Sequence, residues 1–537
     1  MDDKKIAIII HVTDKSALKG AVESLQKLNV PDGFNVEILT FQGDNKYHAY
    51  NFAIKNYKAK YKIYLDEQVI VQNENLLFEL LKIFESDKNI GMIGCSGAIQ
   101  LSTHGICVNS ARRCGKVRNG SSGEKINDWG GIDKDYCEVE AIDGYFMATQ
   151  YDIPFREDLE TFTTTAHCAE FRRQNYKVVV ASQENFWIWC RYSAWRIRDS
   201  IRQKFLEEYS KYIFPLVSVI IPTFNRPKYF QMALESVLNQ TYRNFEIVVS
   251  DDGTTDETEK LIQPYLEKYP CIKYFRNKNF TANDNWNFLR KYNNPEAEYV
   301  NWLMDDDLFY PTKLEKMVET YRNNPDVSLV TSARHFIDSE GNITDSTENF
   351  IKGDAKFSGD QAGKLLFKLD NYIGEPSTVL IRKKFLRDND LCWSKDHTGF
   401  FCLVDVSTWC QLLTQGNIFR YGEPLCAFRR HEGQGQTWIY GGPLFAIAFI
   451  KIFKIALDKK VFFHSEEEIR EAILFLLRYS LDHLKRAQSY NYHGEEVKSL
   501  EKYFAMLAQS LYNGYKINLP EVKYSIQDKF NRISGGD

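Results

Sequence analysis

Short runs of consecutive apolar residues alternate along this chain with stretches whose apolar positions recur every three to four residues. The run Lys5-Ile6-Ala7-Ile8-Ile9-Ile10 has the continuous apolar character of a strand buried on both faces of a parallel sheet. Over residues 17–28 the apolar positions Leu18, Val22, Leu25 and Leu28 share one face of a predicted helix. A strand over 36–39, a helix over 49–57 and a strand over 61–65 follow. The same succession returns as strand 217–221, helix 229–239, strand 245–249, helices 258–269 and 284–292, and an apolar run that reaches Met304. Asn51 stands fifteen residues before Asp66, and Asn287 eighteen before Asp305. This is one fold used twice, with a period too long for a solenoid. Strand–helix alternation of this kind predicts α/β architecture with a mostly parallel sheet in each copy.

Between and after the copies the pattern changes. Residues 100–140 are rich in Gly and Ser with little periodicity, and read as a long loop. Ile197, Ile201, Phe205 and Tyr209 recur at helical spacing and predict a connector helix before Pro215. Beyond Tyr440 the pattern is helical throughout. Ser465-Glu466-Glu467-Glu468 forms a capping box ahead of Ile469, Ile473, Leu476 and Leu484, and another helix is expected over 497–512. The expected division is 1–192, a connector over 193–214, a second α/β domain over 215–440 and a helical module over 441–537.

Composition narrows the class. A chain of 537 residues holds about three domains of roughly 150 residues each. With 44% hydrophobic and 14% aromatic residues it has ample material for packed cores. A net charge of −4 gives no electrostatic footprint for nucleic acid. The eleven cysteines show no Cys-x-x-Cys pair and fit reduced thiols. Met1-Asp2-Asp3-Lys4-Lys5 runs straight into a strand without the apolar core of a signal peptide. The greasiest run, 444–457, is broken by Lys451 and Lys454 and is too short to span a bilayer. A soluble, cytoplasmic protein is expected; peripheral contact with the inner face of a membrane and homo-oligomerisation stay open.

Candidate chemistry gathers where strands of the second copy end. Tyr299-Val300-Asn301-Trp302-Leu303-Met304 runs into Asp305-Asp306-Asp307. Three adjacent carboxylates repel one another unless something neutralises them. A hard divalent ion such as Mg²⁺ or Mn²⁺ does so with oxygen ligands, often completing its shell with phosphate oxygens. The competing reading is a solvated turn capping the helix at 313–321. Two more segments stand at strand ends: Pro222-Thr223-Phe224-Asn225-Arg226 and Ser250-Asp251-Asp252-Gly253-Thr254-Thr255-Asp256. Each alone is ordinary turn chemistry. Together they mark the end of an α/β sheet where ligands bind.

In this order and on this scaffold, the three segments resemble the family 2 glycosyltransferases of the GT-A fold, from about residue 217 to 436. The resemblance implies that Pro222, Thr223, Asn225, Asp251, Asp252, Asp305 and Asp306 bind a nucleotide-sugar, with Thr223 and the Asp251–Asp252 pair at the uracil and ribose of a UDP-sugar. It implies a Mg²⁺ or Mn²⁺ ion on Asp305, Asp306 and Asp307. Tyr372-Ile373-Gly374-Glu375-Pro376-Ser377 and Leu403-Val404-Asp405-Val406-Ser407-Thr408-Trp409 look like acceptor-side segments of bacterial members, with Asp405 as general base and Glu375 as second choice. Phe428-Arg429-Arg430-His431-Glu432-Gly433-Gln434 looks like the loop that covers the diphosphate, with His431 as a further metal ligand. One base and one metal on opposite sides of the anomeric carbon imply a single displacement with inversion.

The first copy is similar to the glycosyltransferase-like domain found beside such enzymes, through residues 64–69, 89–94, 141–147 and 170–178. It departs from the active pattern. His11-Val12-Thr13-Asp14 replaces the Pro-Thr-Phe-Asn turn, Gln42-Gly43-Asp44 carries one acid in place of two, and the metal cluster is reduced to Asp66-Glu67-Gln68. The expectation is two tandem GT-A domains, Rossmann-like, of which the second is catalytic, followed by a helical module. Arg112, Arg113, Lys116 and Arg118 form a basic cluster open to an anionic acceptor or to solvent alone. A bifunctional enzyme and a silent nucleotide-sugar-binding scaffold are the alternatives. The acceptor class, a glycan, a lipid-linked glycan or a protein, stays open.

Overall fold

The computed structural model describes residues 2–191, 197–280, 282–345, 351–369, 371–386, 403–431 and 441–517. It divides into two compact units, Met1–Phe214 and Pro215–Asp537. In the first, Asn35–Gln42, Asp2–Val12 and Ala59–Asp66 lie side by side and parallel. The sheet continues through Phe146–Thr149, Ile90–Gly94, Lys177–Ala181 and Tyr136–Glu138. Phe146–Thr149 runs antiparallel to both its neighbours. Ile6, Ile8, Ile9 and Ile10 are almost wholly buried, as a strand covered by helices on both faces requires.

The stretch expected to be a loop over 100–140 contains three strands, Arg112–Asn119, Lys125–Asp128 and Tyr136–Glu138. Arg112–Asn119 pairs with Ser96–Gln100, Lys125–Asp128 and Ile188–Cys190, building a second small sheet. Its polar sequence hides it, because Cys114, Val117 and Asn119 are buried while intervening side chains stay partly in water. The basic cluster is split accordingly. Arg113 is buried against Asp143 and stacks on Trp129, whereas Lys116 and Arg118 lie over Phe186. The helix expected as a connector, Asp199–Ile213, packs into the first unit through Phe205, Leu206 and Tyr209. Phe205 stacks on Phe162, and the Tyr209 hydroxyl donates to Glu170 at 2.9 Å.

The second unit repeats the parallel core. Ile272–Arg276, Phe245–Asp251, Leu216–Thr223 and Ala297–Trp302 are adjacent and parallel. Leu380–Arg382 is inserted antiparallel between Ala297–Trp302 and Val327–Ile337, and Asn417–Arg429 then pairs parallel with Val327–Ile337. The helices Gly441–Asp458, Glu466–Ser489 and Glu495–Ser510 share this unit's core. Phe449, Phe453, Leu476 and Leu500 pack with Leu366, Phe367 and Trp409. Ser465 caps its helix by accepting from Glu468 N at 3.2 Å, while Glu468 reaches back to His464 N at 2.7 Å. Among the described residues, no helix is long and apolar enough to cross a membrane. No disulfide joins the described cysteines.

Candidate active site

Parallel strands release their chains at one edge, so the segments after Thr223, Asp251 and Trp302 meet there. Asn225 takes a left-handed backbone, φ 51°, which its short polar side chain tolerates. That turn lets its amide clasp the next loop: Asn225 Oδ1 accepts from Thr254 N at 2.8 Å and Nδ2 donates to Thr254 Oγ1 at 2.9 Å. Gly253 is required between them, since a Cβ there would lie 2.8 Å from Asp251 Oδ1 and 2.9 Å from Asn225 Oδ1. Thr223 is buried next to the cluster, with its carbonyl accepting from Asp252 N at 3.3 Å. Pro222 stands one residue back, in register with Ser250.

The adjacent acids of the second loop face different ways. Asp251 is fully buried and turned into the protein: Tyr274 donates to Oδ2 at 2.6 Å, Gly253 N to Oδ1 at 2.8 Å, and Arg276 Nη1 lies 3.0 Å from Oδ1. It holds the loop together. Asp252 is steadied on one oxygen by Asn285 Nδ2 at 2.7 Å. Burial, and after it the charge of Asp251, push the Asp252 carboxyl up to about 6. Asn285 is fixed in turn by Ser250 O at 3.1 Å.

The aspartate triplet is likewise divided. Asp307 is completely buried and both its oxygens are engaged, Oδ2 by Ser377 Oγ at 2.5 Å and Oδ1 by Arg429 N at 3.0 Å. Asp305 accepts from Phe224 N at 3.3 Å. Asp305 Oδ1 and Asp306 Oδ2 converge on Arg226 Nη1, at 3.4 and 3.1 Å. His431 Nε2 lies 3.1 Å from Asp306 Oδ2 and its ring packs near Tyr229. The rest of the expected covering loop, 432–434, lies outside the described residues.

Burial, then Asp306, raise the Asp305 carboxyl well above the usual range, and Arg226 pulls it back only in part. Asp305 and Asp306 stand side by side with His431 next to them, and such a carboxylate pair offers the oxygen donors that a hard divalent ion takes. Among the described residues, no group of three or more His, Cys, Asp or Glu side chains stands ready to hold a metal ion. A two-carboxylate site that needs substrate oxygens to complete it is consistent with both observations.

Asp405, the expected general base, sits in the first turn of Val404–Leu413. Asn371 Nδ2 donates to Asp405 Oδ2 at 3.1 Å and also to Gly374 O at 3.3 Å. Gly374 has φ 104°, open to glycine alone here, and Trp409 Nε1 donates to its carbonyl at 3.0 Å. Three residues on, Ser377 grips Asp307, so the 371–378 loop ties the general-base candidate to the aspartate triplet. Burial, and Glu375 after it, push the Asp405 carboxyl up to about 6. Glu375 itself is clamped by Arg334, with Nε 2.6 Å from Oε2 and Nη2 3.3 Å from Oε1.

Arg226, Tyr274, Arg276, Asn285, Arg334, Asn371 and Arg429 had no assigned role in the sequence reading. Arg226 had a legible signal, as the residue that completes the first motif. The others carry none, because the site acids they meet lie 23 to 123 positions away.

Comparison with known proteins finds two separate family matches. Residues 218–390 match the model for glycosyl transferase family 2, and residues 7–209 that for a glycosyltransferase-like family. The second unit thus carries a glycosyl transferase family 2 domain, preceded by a glycosyltransferase-like domain, and α-helices follow toward the C-terminal end. An uncharacterized glycosyltransferase of Rickettsia typhi is 32% identical over 227 residues, 41% of this chain and 65% of that protein. A GalNAc(5)-diNAcBac-PP-undecaprenol beta-1,3-glucosyltransferase of Campylobacter jejuni is 33% identical over 175 residues, 33% of this chain and 54% of that one. S. aureus TarS, residues 1–349 in complex with UDP-GlcNAc, aligns with TM-score 0.38 and 16% identity, over 57% of this chain and 94% of that one. The chain spans less than two thirds of the length of the curated relatives it matches, 65% of the first and 36% of a second from Rickettsia felis.

Proposed function

We propose that the second unit transfers a glycosyl group from a nucleotide-sugar, UDP-linked, to a hydroxyl of a glycan acceptor, with inversion at the anomeric carbon. The observation that carries this reading is the pairing of two chemistries through one loop: Asn371 holds Asp405, and Ser377 holds the aspartate triplet. Asp252 and the Thr223–Asn225 turn would bind the nucleoside, with Asp251 organising them from within. Asp305 and Asp306, with His431 beside them, would hold Mg²⁺ or Mn²⁺, which when bound stabilises the charge of the departing diphosphate. Asp307 supports that corner as a buried acceptor and is not assigned to the ion.

Asp405 is the base in this reading. Its raised carboxyl is a better proton acceptor than an ordinary aspartate and is still ionised near neutral pH. It would take the acceptor hydroxyl's proton while Asn371 keeps it oriented. Glu375, neutralised by Arg334, fits an orienting role better. The acceptor is proposed to be a lipid-linked or surface glycan, on the likeness to the Campylobacter jejuni protein. The first unit would position acceptor or partner and transfer nothing itself.

A panel of nucleotide-sugars incubated with purified protein and Mn²⁺ tests the reading. Release of nucleoside diphosphate from UDP-sugars, lost in EDTA and in Asp306→Ala, is the expected result. Release that is indifferent to both would overturn the metal assignment.

A further inference from the structure

Two arginines reach the aspartate triplet, and they are placed for different jobs. Arg429 is fully buried and spends its guanidinium on backbone carbonyls: Asp306 O at 2.8 Å, Asp338 O at 2.7 Å and Ser339 O at 3.0 Å. It is a fixed part of the frame. Arg226 lies at the solvent side, its side chain 33% exposed against 10% and 9% for the two acids it meets. Its contacts to Asp305 and Asp306, 3.4 and 3.1 Å, are longer than a well-formed charge-assisted hydrogen bond of about 2.8 Å. The Arg334–Glu375 contact at 2.6 Å shows what a tight pair in the same unit looks like. Only the side chain of Arg226 has to move for the contact to break, because Pro227 anchors the backbone at the start of Pro227–Leu238.

The oxygens that Arg226 Nη1 touches, Asp305 Oδ1 and Asp306 Oδ2, belong to the two acids given to the ion in the reading above. Arginine cannot resolve the conflict by losing its proton, so ion and guanidinium compete for the same atoms. A displaced guanidinium, its backbone held at the start of Pro227–Leu238, still reaches this strand edge and offers a planar fork of donors suited to phosphate oxygens.

Resting on the cation reading above, we propose that Arg226 is a built-in counterion. It holds Asp305 and Asp306 while the ion is absent, yields them when the ion binds, and then takes a phosphate oxygen of the nucleotide. It thereby couples the two ligands: the ion frees the residue that the nucleotide needs.

Mn²⁺ titration of the full chain, followed by electron paramagnetic resonance and calorimetry, tests this without any turnover. Arg226→Ala and Arg226→Gln, each checked for unaltered circular dichroism, are expected to bind Mn²⁺ alone about tenfold more tightly, having lost one charged competitor. At saturating Mn²⁺ they are expected to bind UDP about tenfold more weakly. Mn²⁺ affinity unchanged or reduced in both variants overturns the proposal, and so does UDP affinity that does not fall. The double variant Asp305→Asn/Asp306→Asn separates the two levels. If it loses Mn²⁺ while the Arg226 variants behave as wild type, only the arginine's role is wrong. If wild type, Arg226 variants and double variant all fail to bind Mn²⁺ with UDP present, the cation reading falls and the arginine's role with it.

Discussion

Both α/β units end a central strand in acids, and each neutralises them in its own way. In the first unit Lys46, from helix Lys46–Asn56, places its ammonium 3.2 Å from Asp66 Oδ2. Burial works against that charge, but Asp66 more than offsets it, so the lysine ends more basic than usual. Glu67 is buried and accepts from Thr13 Oγ1 at 2.6 Å and Asp14 N at 3.1 Å. His11 Nε2 closes on Gly43 O at 2.7 Å. Every acid at this strand end has a partner inside its own unit. In the second unit two acids, both far less exposed than Asp66, meet the same arginine nitrogen at 3.4 and 3.1 Å, and burial raises the Asp305 carboxyl. The same scaffold therefore carries one partly exposed acid paired with a lysine in one place, and two buried adjacent acids sharing one arginine nitrogen in the other.

The sharpest way to break this comparison is to remove acids from both units. Asp306→Ala should cost on the order of 10³-fold in transfer, the scale of losing a main stabiliser of leaving-group charge. Asp66→Ala with Glu67→Ala should leave transfer of every donor sugar unchanged in the same assay. A separate transfer activity that disappears only with Asp66 and Glu67 would mean two active sites.

Next in size is the base. Asp405→Asn should lower kcat by roughly 10²–10⁴-fold and leave UDP binding nearly as it was. Only the ionised carboxylate accepts a proton, and this carboxyl lies near 6, so wild-type kcat should fall as pH drops through about 6. A pH profile flat from 5 to 8, or a loss confined to donor affinity, would move Asp405 out of this role.

Stability separates the units in the opposite direction. Lys46→Met strands Asp66 and should destabilise the first unit by about 1–2 kcal/mol, discounted because both side chains are about a third exposed. Asp305→Asn should instead stabilise the second unit at neutral pH, by on the order of 1 kcal/mol, as function is lost. The sign follows from a folded-state carboxyl held above its unfolded value: its contribution is complete below about pH 4 and is lost as pH rises through the folded value. The gain of the variant over wild type should therefore widen between pH 4 and 8, read from denaturant midpoints. A constant gap would mean Asp305 is compensated after all.

Much of this protein was legible without coordinates. Apolar runs mark the buried strands because a strand covered on both faces admits little else, and acids gather at strand ends, where ligands of α/β sheets bind. The repeated order of strands, helices and acids was readable for the same reason, and with it the family likeness. Polar strands such as Arg112–Asn119 were not readable, since pairing with distant strands, and not local hydrophobicity, makes them. Nor could spacing say which of two or three adjacent acids faces outward. Consecutive side chains in a turn diverge, and their partners decide the outcome: Tyr274 and Arg276 draw Asp251 inward, Ser377 and Arg429 draw Asp307 inward, and Asp305 and Asp306 are left facing Arg226. The chain's order of residues put carboxylates at the sheet's edge. Only long-range packing, which sets each side chain's neighbours and its access to water, decided which of them turn inward and which meet Arg226.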